Sequence, residues 1–159
     1  MGRYHMKVQS GTAVPVDTAF AWLMCVAGNG FNLKRVDCSL ITVGSASAPP
    51  DQQCTLGIAP VSTAGTTITA ATASGKLNAN YPPFLCLPAQ AWVTPPTIGV
   101  GTTDPYQISC SSRGGGILNW EQPDEWQVPF GVTNGLAFVN RVNALTTPLA
   151  WVISVEWEE

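Results

Sequence analysis

The chain is short of charge. Only 11% of its 159 residues are Asp, Glu, Lys or Arg, against roughly 25% in ordinary soluble domains. Ser, Thr, Gly, Pro, Asn and Gln stand in their place. A surface with so few charges is poorly protected from self-association, which points to a chain whose surface other chains cover. Histidine is scarcer still, with His5 the only one. Any Ser-His or Cys-His catalytic pair would have to be built on that one ring. No C-x-x-C occurs, and one histidine cannot complete a zinc set at workable spacing. There is no G-x-S-x-G. The Gly-Lys of "ASGKL" (residues 73–77) lacks the upstream glycine and the following Ser or Thr of a phosphate loop. Gly114-Gly115-Gly116 leads into no helical pattern that could bind an anion at its start. The expectation is a protein that is not an enzyme, with no catalytic residues, no metal and no cofactor.

Net charge is equally uninformative of a polyanion. It is -3, and the seven basic residues (Arg3, Lys7, Lys34, Arg35, Lys76, Arg113 and Arg141) are scattered along the sequence. Nucleic-acid binding wants a clustered basic footprint, so no nucleic-acid partner is expected. No apolar run is long enough for a transmembrane helix. The nearest, "AFAWLMCVAG" (residues 19–28), follows Pro15 and Asp17 and reads as a buried strand rather than a signal peptide. No membrane partner is expected either. Five cysteines stand at 25, 38, 54, 86 and 110, an odd number that cannot pair completely within one chain. Cys25, Cys38 and Cys54 lie in apolar stretches, where a free thiol behaves as a small hydrophobe. They read as reduced core thiols, fitting a reducing cytoplasm.

What the sequence does have is strand periodicity. In "PLAWVISVEWEE" the odd positions from Leu149 to Trp157 are Leu, Trp, Ile, Val and Trp, so one face of a closing strand is strongly apolar. Burying such side chains contributes roughly 1.5–3 kcal/mol each before entropy. Val14 to Ala27 reads as a strand region apolar on both faces near Phe20, Ala21, Trp22 and Leu23. Asn29-Gly30 and Asn134-Gly135 are hairpin signals. In "FNLKRVDCSLITVG", Val36, Cys38 and Leu40 share a face. Lys34 and Arg35 must point oppositely unless a bulge intervenes. Thirteen prolines fall mostly between strands. The reading is all-β: a jelly-roll-like sandwich or barrel of about eight strands. Residues 1–13 form a short N-terminal arm without its own core, and 14–159 form a single β-sandwich domain. "NWEQPDEW" holds the one acidic cluster inside the fold, Glu121, Asp124 and Glu125 between Trp120 and Trp126. It is too small a set for calcium and reads as a solvated turn whose tryptophans belong to the core or to an interface.

The small size, all-β pattern, low charge, Ser/Thr/Ala-rich loops such as "STAGTTITAATASGKLNANYPP" and mildly basic start resemble the decoration (cement) proteins of tailed-bacteriophage capsids. More broadly they resemble small jelly-roll virion proteins. The resemblance covers most of the chain in character and rests on no signature motif. It implies a protein made in the host cytoplasm and carried on the capsid surface of the virion. Its partner would be the major capsid protein, bound by a homo-oligomer, specifically a trimer, that staples the shell. In that setting the arm (Arg3, Tyr4, His5 and Lys7) would add a strand to a neighbour's sheet edge, and residues 61–83 would become ordered only in the assembly. Two alternatives follow from the same features. One is a tail or fibre receptor-binding module whose Trp120 and Trp126 stack on sugars. The other is a small single-jelly-roll major capsid protein.

Overall fold

The computed structural model describes residues 2–25, 30–44, 51–66, 68–71, 73–98, 104–120, 126–128 and 135–159. These form thirteen strands and, among the described residues, no helix. In chain order they are β1 (Arg3–Gln9), β2 (Thr18–Met24), β3 (Phe31–Thr42), β4 (Gln53–Thr63), β5 (Thr69–Ala70), β6 (Ala73–Lys76), β7 (Leu87–Ala91), β8 (Thr97–Ile98), β9 (Tyr106–Ser111), β10 (Gly116–Asn119), β11 (Trp126–Val128), β12 (Gly135–Val142) and β13 (Leu149–Glu158). The first sheet runs β10-β3-β13-β1-β6, with β11 also on β3. The second runs β5-β7-β2-β12-β4-β8, with β9 also on β4.

The pairing is antiparallel throughout, and it is nested. β1 pairs with β13, β2 with β12, β3 with β10 and β4 with β9. Two further ladders, β13 on β3 and β12 on β4, join these pairs into sheets. The segment between β4 and β9 supplies the remaining edge strands. β6 extends the first sheet beside β1, while β7 and β5 extend the second beside β2.

The closing strand behaves as its alternation predicts. Leu149, Trp151, Ile153, Val155 and Trp157 are all buried in the main core between the sheets. β2 is buried on both faces, again as its sequence predicts. Leu23 and Cys25 join the main core, while Trp22 and Met24 join a second cluster with Ala59, Val61, Ala137 and Val139 on the sheet's outer side. Trp92 stacks on Trp22 there, ring centroids 5.2 Å apart. Gly65 lets the covering loop come this close, because a Cβ there would stand 2.5 Å from Thr94 O and 2.9 Å from the Trp22 ring. All five cysteines are buried and unpaired by disulfides.

Three expectations need correction. The N-terminal arm is not an arm. Residues 3–9 form β1, hydrogen-bonded on both sides, with Tyr4, Met6 and Val8 buried. The cause is a period-two pattern, Arg3, His5 and Lys7 out and Tyr4, Met6 and Val8 in, which belongs to a half-buried strand. β1 therefore has no free edge to offer a neighbour, and removing it would strip a strand from inside the sheet. The 61–83 excursion is likewise built into the isolated chain through β5 and β6. Finally, neither Asn-Gly site joins a hairpin. β2 and β3 lie in different sheets, as do β11 and β12. Residues 26–29 and 129–134 lie outside the described residues.

Tyr4 ties β1 to the rest of the core. Its hydroxyl donates to Pro82 O at 3.1 Å, and its ring packs on Trp157 and Phe84. Burial, and then the Glu159 carboxylate, push its phenol above the ordinary 10.0. A raised folded pKa means that the stabilisation is fully present below the unfolded value of 10.0 and is lost as pH climbs through the folded one. Tyr4→Phe should therefore be less stable than the parent near neutrality, and the gap should shrink above about pH 10. Urea midpoints measured across that range check it.

Candidate functional site

The outer face of the first sheet gathers charged side chains from three strands. The alternation of β1 that buries Tyr4, Met6 and Val8 leaves Arg3, His5 and Lys7 on the other side. Opposite them, β13 presents Glu158, Glu156 and Ser154 in direct register. β3 continues the same rows with Asn32, Arg35 and Asp37, and β10 adds Asn119 beside Arg35 and Ile117 beside Asp37. One row thus reads His5, Glu156, Arg35, Asn119, and the next reads Lys7, Ser154, Asp37, Ile117. Cations and carboxylates alternate across strands, as favourable cross-strand pairs do.

Lys34 joins this face through a bulge. β13 passes from Glu156, opposite Arg35, to Trp157, opposite Leu33, so Lys34 is the extra residue of β3 at this register shift. The inward residues of β3 change phase at the same point, from Phe31 and Leu33 to Val36, Cys38 and Leu40. An extra residue is needed wherever the apolar phase slips by one. Lys34 Nζ meets Glu158 at 2.7 Å, with only 8% of its side chain exposed. Arg35 Nε meets Asp37 at 2.9 Å on the more open part of the face.

Two depressions lie on this surface. The larger, about 480 Å³, is walled by Lys7, Arg35 and Asp37 and floored by small residues including Ser39, Gly116 and Ser154. The second, about 250 Å³, is bounded by Arg3, Lys34, Arg35, Asn119, Trp120 and Glu156. Arg35 stands on the wall of both. Basic residues that are scattered in sequence (Arg3, Lys7, Lys34 and Arg35) are therefore gathered on one face, interleaved with Asp37, Glu156 and Glu158. That mixture suits a polar partner surface with charges of both signs. A polyanion would meet as much repulsion as attraction.

Of the residues singled out from sequence, Arg3, His5 and Lys7 share this face, and Trp120 borders its smaller depression. Tyr4 does not belong to it, since its side chain is in the core. Trp126 is half-buried and packs with Tyr106 and Trp120, at centroid distances of 5.0 and 6.3 Å. Trp120 is itself buried, 7% exposed, with its edge on Tyr106. The pair is therefore not an open platform for sugar rings. The acidic residues 121–125 lie outside the described residues. Lys34, Arg35, Asp37, Asn119 and Glu156 were missed. The phase slip between Leu33 and Val36 was the signal that could have found the first two. Among the described residues, no group of three or more His, Cys, Asp or Glu side chains is arranged to hold a metal ion, and no helix is long and apolar enough to cross a membrane.

No family model matches the chain, and no curated protein or solved structure matches it.

Proposed function

We propose that the protein is a virion structural protein of jelly-roll type that decorates the outer capsid surface as a homo-oligomer. The nested pairing carries this reading. A jelly roll is a long antiparallel ribbon rolled into two sheets, so that its first strand pairs with its last, its second with the next-to-last, and so inward. The ladders β1–β13, β2–β12, β3–β10 and β4–β9 follow that scheme. Jelly rolls recur in viral capsid and lectin domains. Fold alone does not assign function, so the surface provides the second support. It has few charges, and large apolar side chains stand open on it, among them Val93 (75% exposed), Ile117 (57%) and Leu85 (51%). Such side chains favour a chain that is covered by neighbours.

The mixed-charge face of the first sheet is the surface assigned to the capsid subunit. Many copies on a symmetric shell gain from avidity, so each contact can be modest. The double variant Arg3→Glu/Lys7→Glu tests the assignment. Both side chains sit on the outer face, away from the core, so the melting temperature should stay within about 2 °C of the parent. Occupancy on particles should fall roughly tenfold, because reversed rim charges repel the former partner. Unchanged occupancy would remove this face from the contact.

A further inference from the structure

The five cysteines are not distributed at random in the core. β2 and β7 run antiparallel with Trp22 opposite Ala89 and Met24 opposite Leu87. Continued by one position, that register sets Cys25 opposite Cys86, and both side chains are buried in the main core. At another place, Cys38 of β3 in the first sheet meets Cys110 of β9 in the second. The Cys110 thiol donates to Cys38 O at 3.7 Å, and both side chains are buried in the main core. Gly116, the cross-strand neighbour of Cys38, packs beside these residues without a side chain, because a Cβ there would collide with Ile108. Cys54 opposes Cys110 in the β4–β9 ladder, but its own thiol donates to Asn143 O at 3.8 Å.

We propose that Cys25 with Cys86 and Cys38 with Cys110 are two cystine-forming pairs, and that Cys54 is the one thiol left over. This accounts for the odd count without an intermolecular bridge. It is independent of the capsid reading. In a reducing compartment the sandwich carries no covalent cross-link. In an oxidising one it acquires one staple within the second sheet and one between the sheets.

The chemistry is ordinary thiol–disulfide exchange with a small disulfide such as oxidised glutathione. One thiolate of a pair attacks a glutathione sulfur, giving a mixed disulfide and releasing one glutathione thiol. The second cysteine of the pair, deprotonated in turn, displaces the other glutathione. Two protein S–H bonds and the glutathione S–S bond are lost, one protein S–S bond and two glutathione S–H bonds form, and two electrons pass to the oxidised glutathione. Because all five are buried, exchange proceeds through local opening or during folding.

The test is connectivity. The chain, purified with reductant, is refolded from urea in a glutathione redox buffer, alkylated under denaturing conditions and mapped by peptide mass spectrometry without reduction. The expected result is loss of four of the five alkylatable thiols, with linked peptides Cys25–Cys86 and Cys38–Cys110 and alkylated Cys54. A Cys54→Ala variant should give the same two links and no free thiol. Five remaining thiols, a Cys54–Cys110 link or any bridge between chains overturns the proposal.

Discussion

Replacing Trp151 by alanine should cost about 3–5 kcal/mol of unfolding free energy, the usual range for deleting a large buried aromatic. Trp151 is fully buried and lies flat against Phe20, the two planes 4° apart with centroids at 6.1 Å. Its indole Nε1 donates to Asn140 Oδ1 at 3.1 Å. Asn140 is also fully buried, and its Nδ2 donates to Val14 O, Pro15 O and Asn143 O. One indole therefore joins β13 of the first sheet to β12 of the second and to the loop entering β2. Trp151→Ala opens a cavity and orphans the Asn140 carbonyl together. Trp151→Phe keeps most of the volume and loses only the donor, so it should cost about 1–3 kcal/mol. Val93→Ala, on an exposed side chain, should stay within about 0.5 kcal/mol. Urea titrations with a constant m-value would establish the ranking. Equal effects for Trp151→Ala and Val93→Ala would refute the packing account.

Breaking the buried ion pair should be comparably severe. Arg141 holds Asp104 through two bonds, Nε to Oδ2 at 2.6 Å and Nη2 to Oδ1 at 2.5 Å, and reaches Asp17 through Nη1 at 2.9 Å. The Arg141 and Asp104 side chains are 2% and 0% exposed, whereas Asp17 is 56% exposed. Asp104 first, by hydrogen bonding, pushes the guanidinium pKa upward despite burial. Gly57 makes room for the pair, since a Cβ at that position would run into the Asp104 carboxylate and the Arg141 side chain. Arg141→Met strands the Asp104 carboxylate and should cost about 3–5 kcal/mol. Replacing both members removes both buried charges, so Arg141→Met/Asp104→Leu should be more stable than Arg141→Met alone. A double-mutant cycle reads this coupling directly. Additive losses would mean that the two side chains are not acting as a pair.

Much of the sandwich could be read from its residues, because the hydrophobic phase of a strand is a local property. The closing strand, the two-sided burial of β2 and the choice between opposed and bulged Lys34-Arg35 all follow from which positions are apolar. β1 carried the same signal in Tyr4, Met6 and Val8. It was hidden by position, since a terminal segment with alternate basic residues also fits a solvated arm. The Asn-Gly sites failed for a different reason. Positive φ permits a tight hairpin, but the partner of each strand is set by the whole layer it must cover, and here each flanking strand belongs to a different sheet. The Arg141–Asp104 clamp and the thiol pairs join residues distant in sequence, so nothing in their neighbourhoods announces them. The mixed-charge face was half legible. β1 supplied Arg3, His5 and Lys7, but the register that brings Glu156, Arg35 and Asp37 beside them is a property of three strands together.

Association with a capsid is the claim on which the functional account stands. Quantitative mass spectrometry of gradient-purified particles from the chain's own source measures it most directly. The account predicts this polypeptide at a fixed ratio to the major shell subunit and below it in mass, released by mild denaturant before the shell itself opens. A chain that makes up most of the particle's protein would be the shell subunit instead. Absence from every particle fraction would contradict the account outright.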